Sequence, residues 1–370
     1  MQRDMLRIAR ELIKKGHTVE VFAMTWQGEV SEPGLTVALI PAAGWFNFTR
    51  YQRFLDEAKA RINSLKGTEQ AFDLVLGFNR ATWLDAYFGA DPCFVERAHV
   101  QRGLLYRLTP RYRWFAECEK AIFSKESKTH ILLLSNQEKF DFQKWYQTPN
   151  ERFHYIPPFL SQERFVQLDK QTTRDYLRAE FGFQKDDFVF LLVGSGFFMK
   201  GLDRAIKAIA ALSGRDRQHV RLLAVGQDKP DPMIKLAKKF GVSENLVISK
   251  GRPDIPKLMQ GADVYIHPAY RENTGLVLLE ALACGLPVLV TETCGYAYHI
   301  RAANAGLIVT SPYVQSNLNR LLETMLHTKD LEKFSKNGMQ YARTIMMQND
   351  GSAEAEVLIN LASKKKQDNV

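Results

Sequence analysis

Apolar side chains at Met5, Leu6, Ala9, Leu12 and Ile13 recur at the spacing of one helical face and stop at Gly16, so the chain is predicted to open on a helix. Residues 18–24 then read as a short buried strand, and the apolar runs 72–77 and 129–135 as two more, with helical or irregular stretches between them. Strands alternating with helices predict a parallel α/β domain. In such a domain a strand and its phosphate-facing loop normally precede the first helix, which makes a helical opening unusual.

Regular structure is expected to stop at residues 155–158, because Pro157 and Pro158 remove backbone donors and bias the preceding residue to extended geometry. An interdomain linker is placed there. Beyond it, residues 187–193, 220–225, 246–249, 264–266 and 288–291 read as strands, alternating with helices such as 203–212 and 231–240. A second doubly wound domain follows from that pattern. The stretch 318–362 reads as helical, with a frayed tail from Lys364, and the C-terminal helix from residue 346 onward is expected to pack back on the first domain. The domains are therefore 1–157 and 158–345.

The 370 residues carry a formal charge of +9, which points to an anionic partner without choosing among nucleic acid, phosphorylated substrate and acidic membrane. Cys93, Cys118, Cys284 and Cys294 show no metal-ligand spacing, and no histidine pair forms His-Glu-x-x-His, so a reduced, cytoplasmic chain without a structural metal is expected. No apolar run approaches the roughly 18 residues of a membrane span, and the start lacks the hydrophobic segment of a signal peptide. Membrane contact, if it occurs, is expected to be peripheral.

Two constellations carry chemistry. The run 188–193 followed by Gly194, Ser195, Gly196, Met199, Lys200 and Gly201 predicts a strand, a glycine-containing loop and a helix. It fails as a dinucleotide fingerprint, because Met199 stands where the third glycine belongs, and it fails as a P-loop, because no Ser or Thr follows the lysine. What remains is a loop in which Lys200 reaches a diphosphate and backbone donors near Gly194 line a crevice. The run from His267 to Val290 predicts a strand end, a loop carrying Glu272, a helix starting near Thr274 or Gly275, and Glu280 about one and a half turns inside it. A helix N-terminus attracts a phosphate, so Glu280 is assigned to ribose hydroxyls and Glu272 to hexose hydroxyls. The chain contains no Asp-x-Asp, the carboxylate pair that usually holds a cation for a sugar diphosphate; charge neutralisation falls to Lys200 and the helix dipole, and no metal is expected.

Between residues 97 and 128, eight basic side chains, among them Arg102, Arg107, Arg111 and Arg113, interleave with Tyr106, Tyr112, Trp114, Phe115 and Phe123. Such a segment suits an anionic bilayer or a phosphorylated lipid headgroup. It also suits single-stranded nucleic acid, or a solvated helix with an aromatic core face. Nucleic acid is disfavoured because it leaves the acidic crevice without a role.

The Glu272–Glu280 stretch, the Gly285-Leu-Pro-Val continuation and the Gly194–Gly201 lysine loop resemble the retaining glycosyltransferases of family 4. Residues 76–79, 84–88, 103–113, 225–230 and 294–297 are similar, more narrowly, to the bacterial glucosyltransferases of the lipopolysaccharide core. The resemblance implies the GT-B fold, two Rossmann-like domains facing a cleft, and transfer of glucose from UDP-glucose to a heptose on a lipid A-linked inner-core oligosaccharide. It places the enzyme peripherally on the inner face of the inner membrane, with no cofactor beyond the donor. Lys200 and Glu272 are then the expected catalytic residues. Gly194, Ser195, Arg252, Asn273, Thr274, Gly275, Leu276 and Glu280 are expected to hold the nucleotide-sugar, Arg252 near the uracil, while Arg102, Arg107, Arg111, Arg113 and Trp114 face membrane or acceptor. Two departures stand out. Family members begin with a hydrophobic strand and a Gly-Gly loop, whereas this chain begins at Met1-Gln2-Arg3-Asp4, so the first sheet strand is expected to be missing from it, either because the start is assigned too late or because the strand has been lost. Met199 stands where close relatives carry a basic residue. An inactive binding protein is the alternative that these departures raise.

Overall fold

The computed structural model describes residues 2–28, 32–161 and 165–368. The chain divides into two compact units, residues 1–157 with 349–370, and residues 158–348.

The first unit runs through α1 (Gln2–Lys14), β1 (Val19–Ala23), β2 (Leu35–Leu39), α2 (Asn47–Ser64), β3 (Leu76–Gly77), β4 (Ala86–Gly89), α3 (Phe94–Gln101), a 3₁₀ turn (Leu104–Leu108), α4 (Pro110–Phe123), β5 (His130–Leu133), α5 (Asn136–Tyr146) and β6 (Phe153–Tyr155). Its strands form two separate parallel sheets, β1-β2 and β3-β4-β5-β6. The apolar run at 72–77 gives a strand of only two residues, β3, at an edge of its sheet. Sequence patterning also missed β2, β4 and β6.

The second unit holds α6 (Lys170–Phe181), β7 (Phe188–Val193), α7 (Leu202–Ala210), α8 (Gly214–Gln218), β8 (Val220–Val225), α9 (Asp231–Lys239), β9 (Leu246–Ser249), α10 (Ile255–Gly261), β10 (Val264–His267), α11 (Leu276–Ala283), β11 (Val288–Thr291), α12 (Ala297–Ala303), β12 (Gly306–Val309), α13 (Gln315–His327) and α14 (Leu331–Gln348). The six strands are parallel in the order β12-β11-β10-β7-β8-β9. Their unbroken apolar runs reflect burial on both faces, as parallel sheets require. Val189 and Leu191 of β7 pack with α6, α10 and α11, while Phe190 and Leu192 pack with α7, α9 and α13.

The helical stretch predicted over 318–362 is three helices. Thr328 is extended after α13, and Gly351 at φ 100° breaks the chain again. α15 (Ala353–Asp368) then belongs to the first unit, where Leu358 and Leu361 pack against Ile8, Phe88 and Leu132. The tail expected to fray from Lys364 is helical instead: Lys365 pairs with Asp85 at 2.8 Å and Lys366 with Asp73 at 2.9 Å.

Candidate active site

β7 lies at the centre of the second unit's sheet, with β8 and β9 on one side and β10, β11 and β12 on the other. The loops that leave the carboxyl ends of β7 and β10 therefore part in opposite directions, and in open parallel sheets such a switch point is where ligands bind. The two loops touch. A Cβ on Gly201 would lie 2.0 Å from the Pro268 carbonyl oxygen, and the Tyr270 N–H donates to the Met199 carbonyl at 3.0 Å.

In the first loop Gly194, Gly196 and Gly201 all have positive φ (130°, 83° and 79°), a conformation that side chains with a Cβ disfavour. The Gly194 N–H donates to the Val225 carbonyl at 2.9 Å. That bond extends the β7–β8 ladder past the end of the strands. The next two N–H groups, of Ser195 and Gly196, donate to no group among the described residues. Ser195 Oγ accepts from the Gln227 N–H at 3.1 Å, and the Phe197 N–H donates to Asp228. Met199 is partly exposed at the loop's end, beside Lys200.

Lys200 forms an ion pair with Glu272, so the loops of β7 and β10 are joined by opposite charges. His267, the last residue of β10, is fully buried, with Nε2 3.4 Å from Glu272 Oε2 and Nδ1 3.3 Å from the Tyr265 hydroxyl. Burial lowers the His267 pKa despite the pull of the carboxylate, leaving a neutral imidazole at pH 7. For Glu272, burial alone would raise the pKa, but His267 and Lys200 outweigh it and hold the carboxyl at about 2. Glu272 is thus an ionised acceptor across the physiological range.

The Glu272 backbone is fixed as well. Its N–H donates to the Thr293 carbonyl at 3.2 Å, its carbonyl accepts from the Gly295 N–H at 3.0 Å, and the Thr274 carbonyl accepts from the Tyr296 N–H at 2.7 Å. Gly275, at φ 83°, caps α11, and a Cβ there would meet Cys294 Sγ at 2.5 Å. Only glycine fits that corner. α11 starts at the partly exposed Leu276, where a helix has N–H groups without intrahelical acceptors. Glu280 is half-buried in the helix's second turn, and Asn273 is buried immediately ahead of the cap.

Sequence reasoning missed the residues that hold this loop. Arg204 of α7 is buried between the rings of Tyr270 and Tyr313, 3.6 Å from each centroid, and donates to the carbonyls of Pro268 and Ala269 at 3.1 Å. His267 was in view as a strand end but was not assigned a role; a polar residue closing an apolar strand beside an acidic loop was the available signal.

Arg252 follows β9, and its guanidinium is engaged by Asp254 (2.6 and 2.8 Å), Glu180 (2.8 Å) and the Tyr176 hydroxyl (3.0 Å). Its loop neighbour Gly251 abuts Gln227, the residue bonded to Ser195. Among the described residues the one metal-like trio, Asp216, Glu323 and His327, lies on α8 and α13, away from these loops.

In the first unit, Arg102, Arg111 and Arg113 are exposed, while Arg107 and Trp114 are half-buried. Phe123, Tyr112 and Phe115 face inward: Phe123 stacks on Phe142 with centroids 3.6 Å apart, and Tyr112 and Phe115 pack against Phe94. Aliphatic side chains take their place outside. Val100, Leu104, Leu105 and Leu108 are exposed, Leu105 to 81%.

Comparison with known proteins agrees with this architecture. Residues 1–164 match the glycosyltransferase family 4 domain and residues 173–341 the glycosyl transferases group 1 domain. The chain is 39% identical over 345 residues, 93% of its length and 91% of the relative's, to the lipopolysaccharide glucosyltransferase WaaG of Escherichia coli (strain K12). It superimposes on the crystal structure of WaaG with a TM-score of 0.87 at 36% identity, over 96% of this chain and 95% of that one. A sucrose-phosphate synthase from Thermosynechococcus elongatus shares the fold, at a TM-score of 0.75 and 18% identity over 97% of this chain and 92% of that one. With both domains matched and a full-length relative at this identity, the chain belongs to the family 4 glycosyltransferases and has their GT-B fold.

Proposed function

We propose that this hexosyltransferase moves glucose from UDP-glucose to a heptose of a lipid A-linked inner-core oligosaccharide, with the anomeric configuration retained. The observation that carries the reading is the Lys200–Glu272 pair at the sheet's switch point, beside the opening turn of α11. It is supported by 39% identity to a lipopolysaccharide glucosyltransferase. The diphosphate sits against Lys200, the Ser195 and Gly196 N–H groups and the α11 N-terminus, which together supply positive potential where charge builds on the leaving group. Each charge-assisted hydrogen bond there contributes about 1.5 to 3 kcal/mol, so no divalent ion is required. Glu272 accepts hydrogen bonds from hexose hydroxyls, and Glu280 from the ribose. Asn273, Thr274, Gly275 and Leu276 form the turn on which the donor rests.

In the transfer step the acceptor hydroxyl attacks the anomeric carbon on the face the diphosphate leaves. The C–O bond to UDP breaks as the new glycosidic bond forms, and the departing phosphate oxygen takes the hydroxyl proton. Exposed Val100, Leu104, Leu105 and Leu108 beside Arg102, Arg111 and Arg113 give the first unit a face that seats on an anionic bilayer, apolar groups in the headgroup layer and cations on phosphates. Among the described residues no helix is long and apolar enough to cross a membrane, and the contact proposed is peripheral, on the cytoplasmic side. The test is a transfer assay with labelled UDP-glucose and a heptosylated lipid A acceptor. Label in the lipid, with an α-linked product, supports the reading; UDP binding without transfer contradicts it.

A further inference from the structure

Tyr265 and His267 stand two residues apart on β10, so both side chains point to the same face of the sheet. Both are fully buried, and their rings stack with centroids 5.8 Å apart. A polar ring closing an apolar strand needs hydrogen-bond partners. Those of His267 run in a line beneath the two loops. The Tyr265 hydroxyl lies 3.2 Å from the carbonyl of Val193, the last residue of β7, and 3.3 Å from His267 Nδ1, while His267 Nε2 lies 3.4 Å from Glu272 Oε2.

An ionised Glu272 only accepts hydrogen bonds, and a bare ring nitrogen facing it would be repelled, so the proton of the neutral imidazole belongs on Nε2. Nδ1 is then an acceptor, which the Tyr265 hydroxyl can serve. Lys200 reaches the same carboxylate oxygen, Oε2, while Oε1 takes no bond from any group among the described residues. We infer that His267 is a positioning residue of the sugar subsite: its Nε2–H holds Glu272 by Oε2 from beneath and leaves Oε1 turned to the hexose hydroxyls. The inference rests on the reading of Glu272 as the acceptor of those hydroxyls, and it adds what the lysine cannot supply. A diphosphate against Lys200 competes with Glu272 for the three donors of the amine, whereas the imidazole stays where the strand puts it. The carboxylate thus keeps one fixed donor when the nucleotide-sugar is bound.

Two measurements on the full chain test this. Nitrogen-15 shifts of the His267 ring, assigned by their loss in His267→Gln, should show Nε2 protonated and Nδ1 bare at neutral pH. A proton on Nδ1 overturns the inference, and because the tautomer is read on the unmodified chain it decides even where a variant fails to fold. Calorimetry then compares UDP with UDP-glucose. His267→Leu, which fills the space and donates nothing, should weaken UDP-glucose at least about tenfold, the worth of one hydrogen bond to a charged group, with UDP changed less than about threefold. His267→Gln, whose amide can reach the position of Nε2, should recover most of that loss, which a space-filling role would not predict. UDP-glucose binding that is untouched in His267→Leu but weakened in Glu272→Gln overturns the inference and leaves the sugar subsite standing. Binding untouched in both variants removes Glu272 from the subsite and the inference with it. Equal weakening of UDP and UDP-glucose in His267→Leu gives the histidine to the framework of the loops and overturns the inference as well.

Discussion

Glu272 is held from three sides: by a lysine from the β7 loop, a buried histidine beneath it, and backbone bonds to both Thr293 and Gly295. Because its folded pKa of about 2 lies below the usual 4.5, its contribution to stability is complete above pH 4.5 and is lost as the pH falls through 2. The acid limb of the transfer rate should therefore not report this carboxyl. Glu272→Gln should cut transfer at least a hundredfold while UDP affinity, by calorimetry, moves less than about threefold; equal losses in both would remove it from the sugar subsite. Arg204 works one layer back. Arg204→Leu leaves the Pro268 carbonyl unpaired and two stacked rings without their cation, a cost of about 2 to 4 kcal/mol visible in urea unfolding, with transfer falling more than UDP affinity. His299 is buried, with Nδ1 2.7 Å from the Tyr341 hydroxyl, and burial lowers its pKa from 6.5 to about 4. The unfolded chain takes up that proton first, so stability is full above pH 6.5 and declines toward pH 4 by about 3 kcal/mol. His299→Phe should flatten that part of the profile, and a profile identical to that of the unmutated protein would contradict the assignment.

At the scale of elements, the segment from α3 to α4 shows where pattern reading succeeds and where it stops. The basic side chains were legible because charge is carried by residue type. Their aromatic companions follow the reading of a solvated helix with an aromatic core face: Phe123, Phe115 and Tyr112 face the core, and most of the exposed apolar groups are aliphatics of the 3₁₀ turn, whose three-residue period gives no face that a 3.6-residue template detects. Leu104→Ser with Leu105→Ser should lower binding to vesicles containing anionic lipid at least fivefold, in a flotation assay, with little change in unfolding because neither side chain is buried. Unaltered vesicle binding would move the contact elsewhere. Five of the second unit's six strands were legible, because sheets buried on both faces write apolar runs, as in Phe188–Val193 and Val220–Val225; β12, at the sheet's edge, was missed. In the first unit β1, β3 and β5 lie within the apolar runs 18–24, 72–77 and 129–135, while β2, β4 and β6 were not singled out. The pairing of Lys200 with Glu272 lay beyond the sequence altogether, since 72 residues separate them and only the adjacency of β7 and β10 brings them together.

For the whole molecule, a net charge of +9 favours anionic partners, and the proposed function assigns a sugar diphosphate to the second unit and a phosphorylated lipid surface to the first. Charge sets the direction of these encounters and their sensitivity to salt; the loops at the switch point set which ligand stays. The central claim is that an amine, loop N–H groups and a helix N-terminus hold the diphosphate without a metal ion. Calorimetric titration of UDP in excess EDTA, for the unmodified chain and for Lys200→Ala, measures it directly. The account predicts binding that is unaffected by the chelator and weakened about 10- to 100-fold by the substitution, the equivalent of one charge-assisted hydrogen bond. UDP binding that vanishes with EDTA, or that survives Lys200→Ala undiminished, would contradict it.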